Sequence, residues 1–309
     1  VIRAFGRSCW VPALVGGFTF ALAVLATGTD GAQPPARTLA SGQTRAVTAN
    51  QGRYLYMSSN QMNASVSRGC TELVPDYRQR WIAADGSGLI RDTTGLSSFP
   101  SARDRASCKK IPGGDGPGVA TSDLWAARGC FSIEPVNRRR LPRNASRLRS
   151  DLLTGKVEGG PPGPGEAFVQ VGDLLRDGAP SPQLSAELYS AAAGLHGVER
   201  LGTVTDRAGR HGLGLEIISR GLRRELILDP HTHELLGEQE TVVSSRSGWN
   251  VPLGTVIGWA AYLHREYVAT LPTGGPPNPQ PPCIHGAGRI IPGPDGSSVQ
   301  VGASTPRAR

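Results

Sequence analysis

Lysine is nearly missing from this 309-residue chain: only Lys109, Lys110 and Lys156 occur among 33 basic residues, so arginine carries the net charge of +8. Such a bias follows from a GC-rich coding sequence as readily as from a binding surface, and it assigns no partner. The short motifs that carry chemistry are missing too. There is no Gly-x-x-x-x-Gly-Lys-Ser/Thr phosphate loop, no Gly-x-Ser-x-Gly elbow and no His-Glu-x-x-His helix. Ser107-Cys-Lys-Lys110 matches the Ser-x-x-Lys of penicillin-binding enzymes, but no Ser-Asp-Asn or Lys-Thr-Gly partner accompanies it, and the match reads as coincidence. Cysteines are few, and no two of them have the two-to-four-residue spacing of a zinc knuckle. The expectation is a non-enzymatic chain with no catalytic residue, no cofactor and no metal ligand.

Long apolar runs are scarce as well, and a single one decides the compartment. Arg3 and Arg7 precede Trp10-Val-Pro-Ala-Leu-Val-Gly-Gly-Phe-Thr-Phe-Ala-Leu-Ala-Val-Leu-Ala26, an uncharged stretch just long enough to cross a bilayer, and Asp30 follows it. Basic residues before and an acid after place the remainder outside the membrane. Residues 1–9 read as a short cytoplasmic segment and 10–27 as a transmembrane anchor. A signal peptide cut near Ala26-Thr-Gly28, giving a secreted form, is the alternative. Residues 28–51, with Pro34-Pro35, read as a tether.

Four cysteines lie beyond that segment, and an even number in an oxidising compartment implies disulfides. Cys108 and Cys130 bracket the glycine-rich Pro112-Gly-Gly-Asp-Gly-Pro-Gly118. The local bridge closing that excursion is the expected pairing, which leaves Cys70 for Cys283.

Residues 52–271 form the predicted extracytoplasmic domain. Arg53-Tyr-Leu-Tyr-Met57 is rich in strand formers. Tyr77 to Ala84, the turn Asp85-Gly-Ser-Gly88 and Leu89-Ile-Arg91 read as strand, turn and strand. Residues 94–130 look like an irregular insertion. Three helices follow: Leu148 and Leu152 lie four apart, and Phe168, Val171, Leu174 and Leu175 repeat at helical spacing. Ser181-Pro182 then opens a third helix with Leu184, Leu188, Ala191 and Leu195 on one face. Strands return at Val198 to Thr205, Leu213 to Ser219, Leu222 to Leu228, Leu235 to Val243 and Thr255 to Thr270. The separators between the first four are too short for parallel crossovers, so the sheet is antiparallel. Residues 272–309 carry abundant Gly and Pro and read as a tail.

Two clusters invite a functional reading. His231-Thr-His233 beside Asp229 and Glu234 has alternate imidazoles, but Asp229-Pro-His-Thr-His is first of all a β-turn composition. Asn137-Arg-Arg-Arg140 with Arg143, Arg147 and Arg149 lies well beyond the membrane segment and has no interleaved aromatics. That excludes a nucleic-acid partner and leaves a solvated helix face, with anionic headgroups or wall polymers as the alternative.

One resemblance can be named on these residues. Phe168-Val-Gln-Val-Gly-Asp-Leu-Leu-Arg176, Gly202-x-Val-x-Asp206-x-x-Gly209, Arg224-Glu-Leu-Ile-Leu-Asp-Pro230, Leu235-Leu-Gly-Glu238, Tyr54-Leu-Tyr56 and Trp81-x-x-x-Asp85-Gly86-x-Gly88 carry it. Together they resemble an uncharacterised family of actinobacterial membrane-anchored proteins often encoded beside extracytoplasmic-function sigma factors. The family is similar in layout to the periplasmic lipoprotein-carrier and sigma-regulator fold. The resemblance implies an α+β fold, a curved antiparallel half-barrel with short helices on its concave face, and names no substrate.

The expected function is a membrane-anchored extracytoplasmic sensor or interaction domain, linked to sigma-factor envelope signalling and meeting another envelope protein. The alternative is a carrier of a lipid or other amphiphile. Its hollow would be lined by Phe168, Leu174, Leu184, Leu188, Leu226 and Leu228. Because apolar helix and sheet faces must bury each other, that contact is expected to be mostly filled.

Overall fold

The computed structural model describes residues 53–67, 69–111, 118–126, 141–157, 161–177 and 180–272, with two short strands at 289–292 and 298–301. The apolar run, the tether, Arg138 to Arg140, Cys130 and Cys283 lie outside these residues. Among the described residues no helix is long and apolar enough to cross a membrane.

Strands β1 (Tyr54–Ser67) and β2 (Cys70–Ala83) pair antiparallel in one unbroken register from Tyr54 opposite Ala83 to Ser67 opposite Cys70. Each is longer than its sequence suggests, because the polar stretches Ser58 to Ser65 and Thr71 to Asp76 carry little strand-forming composition. Ser58 to Asn63 has partners on both flanks, and Thr71 to Pro75 is held by β1 with a single bridge from Leu73 to Ser98 on the other side, a tertiary effect that outweighs local propensity. The turn at Asp85, whose carboxylate accepts from the Ser87 amide at 3.0 Å, leads into β3 (Gly88–Thr94). Gly88 has φ +155°, and a Cβ there would lie 1.9 Å from the Trp81 carbonyl oxygen, so only glycine fits.

The span 94–130, expected to be irregular, contains α1 (Ala102–Cys108) and β4 (Ala120–Ala126). Ser101 caps α1 by accepting from the Asp104 amide at 3.1 Å. Arg91 anchors β4 by donating twice to Asp123 at 2.7 Å. These two elements correct the disulfide assignment: Cys108 is bonded to Cys70. The local Cys108 to Cys130 bridge does not form, and Cys70 is not available to Cys283. A short helix places Cys108 against the start of β2, so proximity comes from packing and not from the shorter loop.

Helices α2 (Ala145–Leu153), α3 (Pro164–Asp177) and α4 (Pro182–Ala193) follow, then β5 (Val198–Thr205), β6 (His211–Ser219), β7 (Leu222–Leu228), β8 (Leu235–Val242) and β9 (Val256–Val268). Asn144 and Ser181 cap α2 and α4, accepting from Arg147 and Leu184 amides, and Pro182 opens α4 as the sequence predicts. The strands make one nine-stranded antiparallel sheet in the order β4-β3-β2-β1-β9-β8-β7-β6-β5. The fold is α+β, and the sheet is open, with β4 and β5 at its edges. In the expected aperiodic tail, β10 (Arg289–Pro292) pairs with β11 (Ser298–Val301).

Helices α2, α3 and α4 cover one face of the C-terminal half. Leu148 and Leu152 of α2 and Phe168, Val171 and Leu175 of α3 meet Leu188 of α4 and Leu215, Leu226 and Leu228 of the sheet in one cluster. A smaller cluster at the other end gathers Tyr54, Trp81, Ala83 and Leu89. Register places these four on the face opposite the helices.

Two outcomes check this packing. Non-reducing peptide mapping should recover Cys70 and Cys108 in one cross-linked fragment. Leu188→Ala should lower stability to chemical denaturation by about 2–5 kcal/mol, because Leu188 is 0% exposed. A loss under about 1 kcal/mol would mean that α4 is not seated on the sheet.

Candidate functional site

The six residues expected to line a hollow come together, but as packing. Phe168, Leu174, Leu184, Leu188, Leu226 and Leu228 belong to a single buried cluster with Leu148, Val171 and Leu215 between them. Gly172 helps α3 approach the sheet, since a Cβ there would be 3.3 Å from a Leu226 methyl and 3.6 Å from Glu238 Oε2. Side chains of the protein itself fill this contact.

Beside the apolar cluster, the same face of the sheet carries a band of charge that sequence reading missed. Register sets Arg224 opposite Glu240 and Leu226 opposite Glu238, so both carboxylates point toward the helix layer. Arg224 Nη2 lies 2.6 Å from Glu240 Oε1. Arg176 of α3 reaches Glu238 at 3.3 Å and Asp173 at 2.7 Å, and the Tyr262 hydroxyl donates to Glu238. Arg265 donates to the Leu175 and Arg176 carbonyl oxygens at 2.9 and 3.0 Å, tying the end of α3 to β9. Burial pushes the Glu240 carboxyl upward, opposed by Arg224 and reinforced by Glu238. Farther across the sheet, Arg78 makes paired 2.7 Å bonds to Asp92, and Gln61 donates to Asp76 at 2.7 Å. Desolvation of the buried groups offsets much of the attraction in these pairs, and the contacts that join helix to sheet are those of Arg176 with Glu238 and of Arg265 with the end of α3.

The opposite face of the same strands carries a different feature. Glu225 and Ile227 of β7 pair with Gln239 and Gly237 of β8, and there the turn between β5 and β6 folds over the sheet. Asp206 organises that turn: Oδ1 accepts from the Ala208 and Arg210 amides at 2.9 and 2.8 Å, and Oδ2 takes the Arg210 guanidinium at 2.5 and 2.8 Å. Arg210 also donates to the Leu236 carbonyl oxygen at 2.7 Å, which locks the turn to β8. Between turn and sheet lies an open hollow of about 350 Å³, whose lining includes Thr205, Arg207, Glu225, Ile227, Gly237 and Gln239. The Gly202-to-Gly209 turn motif and Gly237 are visible in the sequence, but their meeting is not.

The remaining sequence candidates are dispersed. His231 and His233 sit in the β7–β8 turn, where the Asp229 carboxylate accepts from the His231 and Thr232 amides at 2.8 Å. Although burial pushes the Asp229 carboxyl upward, these amides hold it below the usual aspartate range. The turn composition is realised, with His233 at φ +56° and its ring 4.9 Å from that of Tyr189. Arg149 donates to the Gly194 carbonyl oxygen at 3.1 Å, and Arg147 lies 3.9 Å from Asp151. Ser107 is in the last turn of α1 and Lys110 lies past its end. Cys70, Glu72 and Cys108 gather closely enough to suggest a cation, but both sulfurs are committed to the disulfide and offer no thiolate.

No family model matches the chain, and no curated protein matches it.

The charge band generates a pH dependence. Burial first, then the neighbouring Asp92, raise the Asp76 carboxyl to about 6. A folded value above the unfolded one means stability that is complete below the unfolded value, near pH 4, and lost as pH rises through 6. Folding stability should therefore fall across pH 4 to 6 by an Asp76-dependent component of at most about 3 kcal/mol. The component should vanish in Asp76→Asn, measured as the slope of the unfolding free energy with pH. An identical slope in both proteins would remove Asp76 as its source.

Proposed function

We propose that this chain is a non-enzymatic, membrane-anchored extracytoplasmic sensor or interaction domain. The observation that carries the reading is the filled helix–sheet contact. Phe168, Leu174 and Leu188 are at most 1% exposed against Leu228 at 0%, where a carrier would need room for an acyl chain. An empty apolar cavity there would forfeit contact energy at every lining residue, so a sheet packed this way favours recognition by rim and loops over carriage of an amphiphile.

Three sequence features support the placement: the run Trp10 to Ala26 behind Arg3 and Arg7, the acid at Asp30, and paired cysteines suited to an oxidising compartment. The resemblance to membrane-anchored proteins encoded beside extracytoplasmic-function sigma factors adds a role in envelope signalling. The half-barrel of lipoprotein carriers and sigma regulators supplies the architectural parallel. The partner is another envelope protein meeting the rim.

Two measurements test the reading. A C-terminal tag should be reached from outside the cell while the chain stays with membranes after a carbonate wash. Organic extraction of the purified protein followed by mass spectrometry should give far less than one lipid per chain. A stoichiometric lipid would reverse the ranking in favour of a carrier.

A further inference from the structure

The hollow under the Asp206–Arg210 turn lies on the other face of the sheet from the helices, so what it does is independent of the reading above. Three features make it a formed site and not a surface irregularity. Its floor is sunk because β8 presents a glycine: a Cβ at Gly237 would lie 3.0 Å from the Ala260 carbonyl oxygen and 3.2 Å from Asp206 Cβ. Its roof is fixed by the Asp206 and Arg210 bonds to the turn and to Leu236. One wall is Arg207, whose guanidinium donates to Gln239 Oε1 at 2.5 and 3.1 Å and stands 5.7 Å from the Trp259 ring centroid.

The other wall is Glu225. It makes no hydrogen bond or ion pair within the described residues, although burial raises its carboxyl above the usual glutamate range, with Glu216 adding to the effect. Its oxygens are not sealed from solvent, so a ligand that supplies donors takes the place of water there. Charge decides which donors fit. Arg207 acts on Glu225, Arg223 lies 3.5 Å from the neighbouring Glu216, and Arg210 neutralises Asp206, so the carboxylates around the hollow are balanced and leave no surplus negative charge to draw a cation. What is left is hydrogen-bonding capacity of both kinds around an apolar floor: the Glu225 carboxylate oxygens, the Arg207 N–H groups not given to Gln239, and the one Gln239 N–H not given to Thr241, over Ile227 and Gly237. Vicinal hydroxyls on a saturated ring satisfy that combination, donating to Glu225, accepting from Arg207 and laying C–H groups on the floor. The volume of about 350 Å³ is at the small end of ligand sites and suits one sugar residue better than an extended chain.

The geometry points to a saccharide subsite on the helix-free face, taking a neutral sugar residue, free or at the end of a glycan, through Glu225, Arg207 and Gln239. Saturation-transfer NMR on the detergent-solubilised full chain tests it with a panel of neutral sugars: glucose, galactose, arabinose, mannose and N-acetylglucosamine. At least one should bind with a dissociation constant in the millimolar range. Glu225→Ala and Gln239→Ala should each weaken it about tenfold, while Thr93→Ala, elsewhere on the same face, should leave it unchanged. Thermal unfolding of each variant separates lost binding from lost folding, and Gln239→Ala keeps the test valid if Glu225→Ala does not fold. The inference is overturned if no sugar in the panel binds. It is equally overturned if binding survives both wall substitutions, or if ethanolamine binds where the sugars do not, which would make Glu225 a cation site. Lipid extraction reports on the opposite face, so either result there leaves this one standing.

Discussion

The seam between β1 and β9 is the constraint on which the rest of the fold depends. Tyr54 to Asn63 pairs with Val268 back to Gly258, joining residues about 200 positions apart. On one side of the seam the chain turns back on itself through β2, β3 and β4; on the other, β5 to β9 make a second meander. Neither meander closes, and each would leave a central strand as an unpaired edge without the other. The loop-closure cost of so distant a pairing must be met before any of its bonds form.

The position of the charge band follows from that seam. Gln61 of β1, Tyr262 of β9 and Glu238 of β8 are neighbours only because β9 enters between β1 and β8. A bulge in β9 after Ser58 of β1 shifts the register by one residue, so that Ser59 stands opposite Tyr262. Without the extra residue, Arg265 would fall on the face away from α3, and its bonds to the Leu175 and Arg176 carbonyl oxygens would be lost. The bulge therefore aims one guanidinium at the end of α3 and decides how that helix is held.

Much of the architecture was legible because its signals are local. The strands β5 to β8 are separated by turn compositions, and α4 begins at Ser181 and Pro182 with local capping chemistry. What was not legible is what depends on partners. The polar halves of β1 and β2 are strands only through their ladders, and α1 and β4 were hidden in a span rich in glycine and proline. The cysteine assignment failed for the same reason, since the shorter loop decides pairing only when nothing else brings thiols together. At the candidate sites the residues were individually plain, Glu225, Arg207, Gln239 and Glu238 among them. Strand register gathers them, and one sequence read by its local signals does not specify register.

The place of β1 has a mechanical consequence. Strand β1 has fourteen paired positions to β2 on one flank and ten to β9 on the other. A pull on its Tyr54 end along the strand loads both ladders together in shear, whereas an edge strand would peel from a single neighbour one bond at a time. A load applied at Tyr54 is thus shared between two ladders in the middle of the sheet.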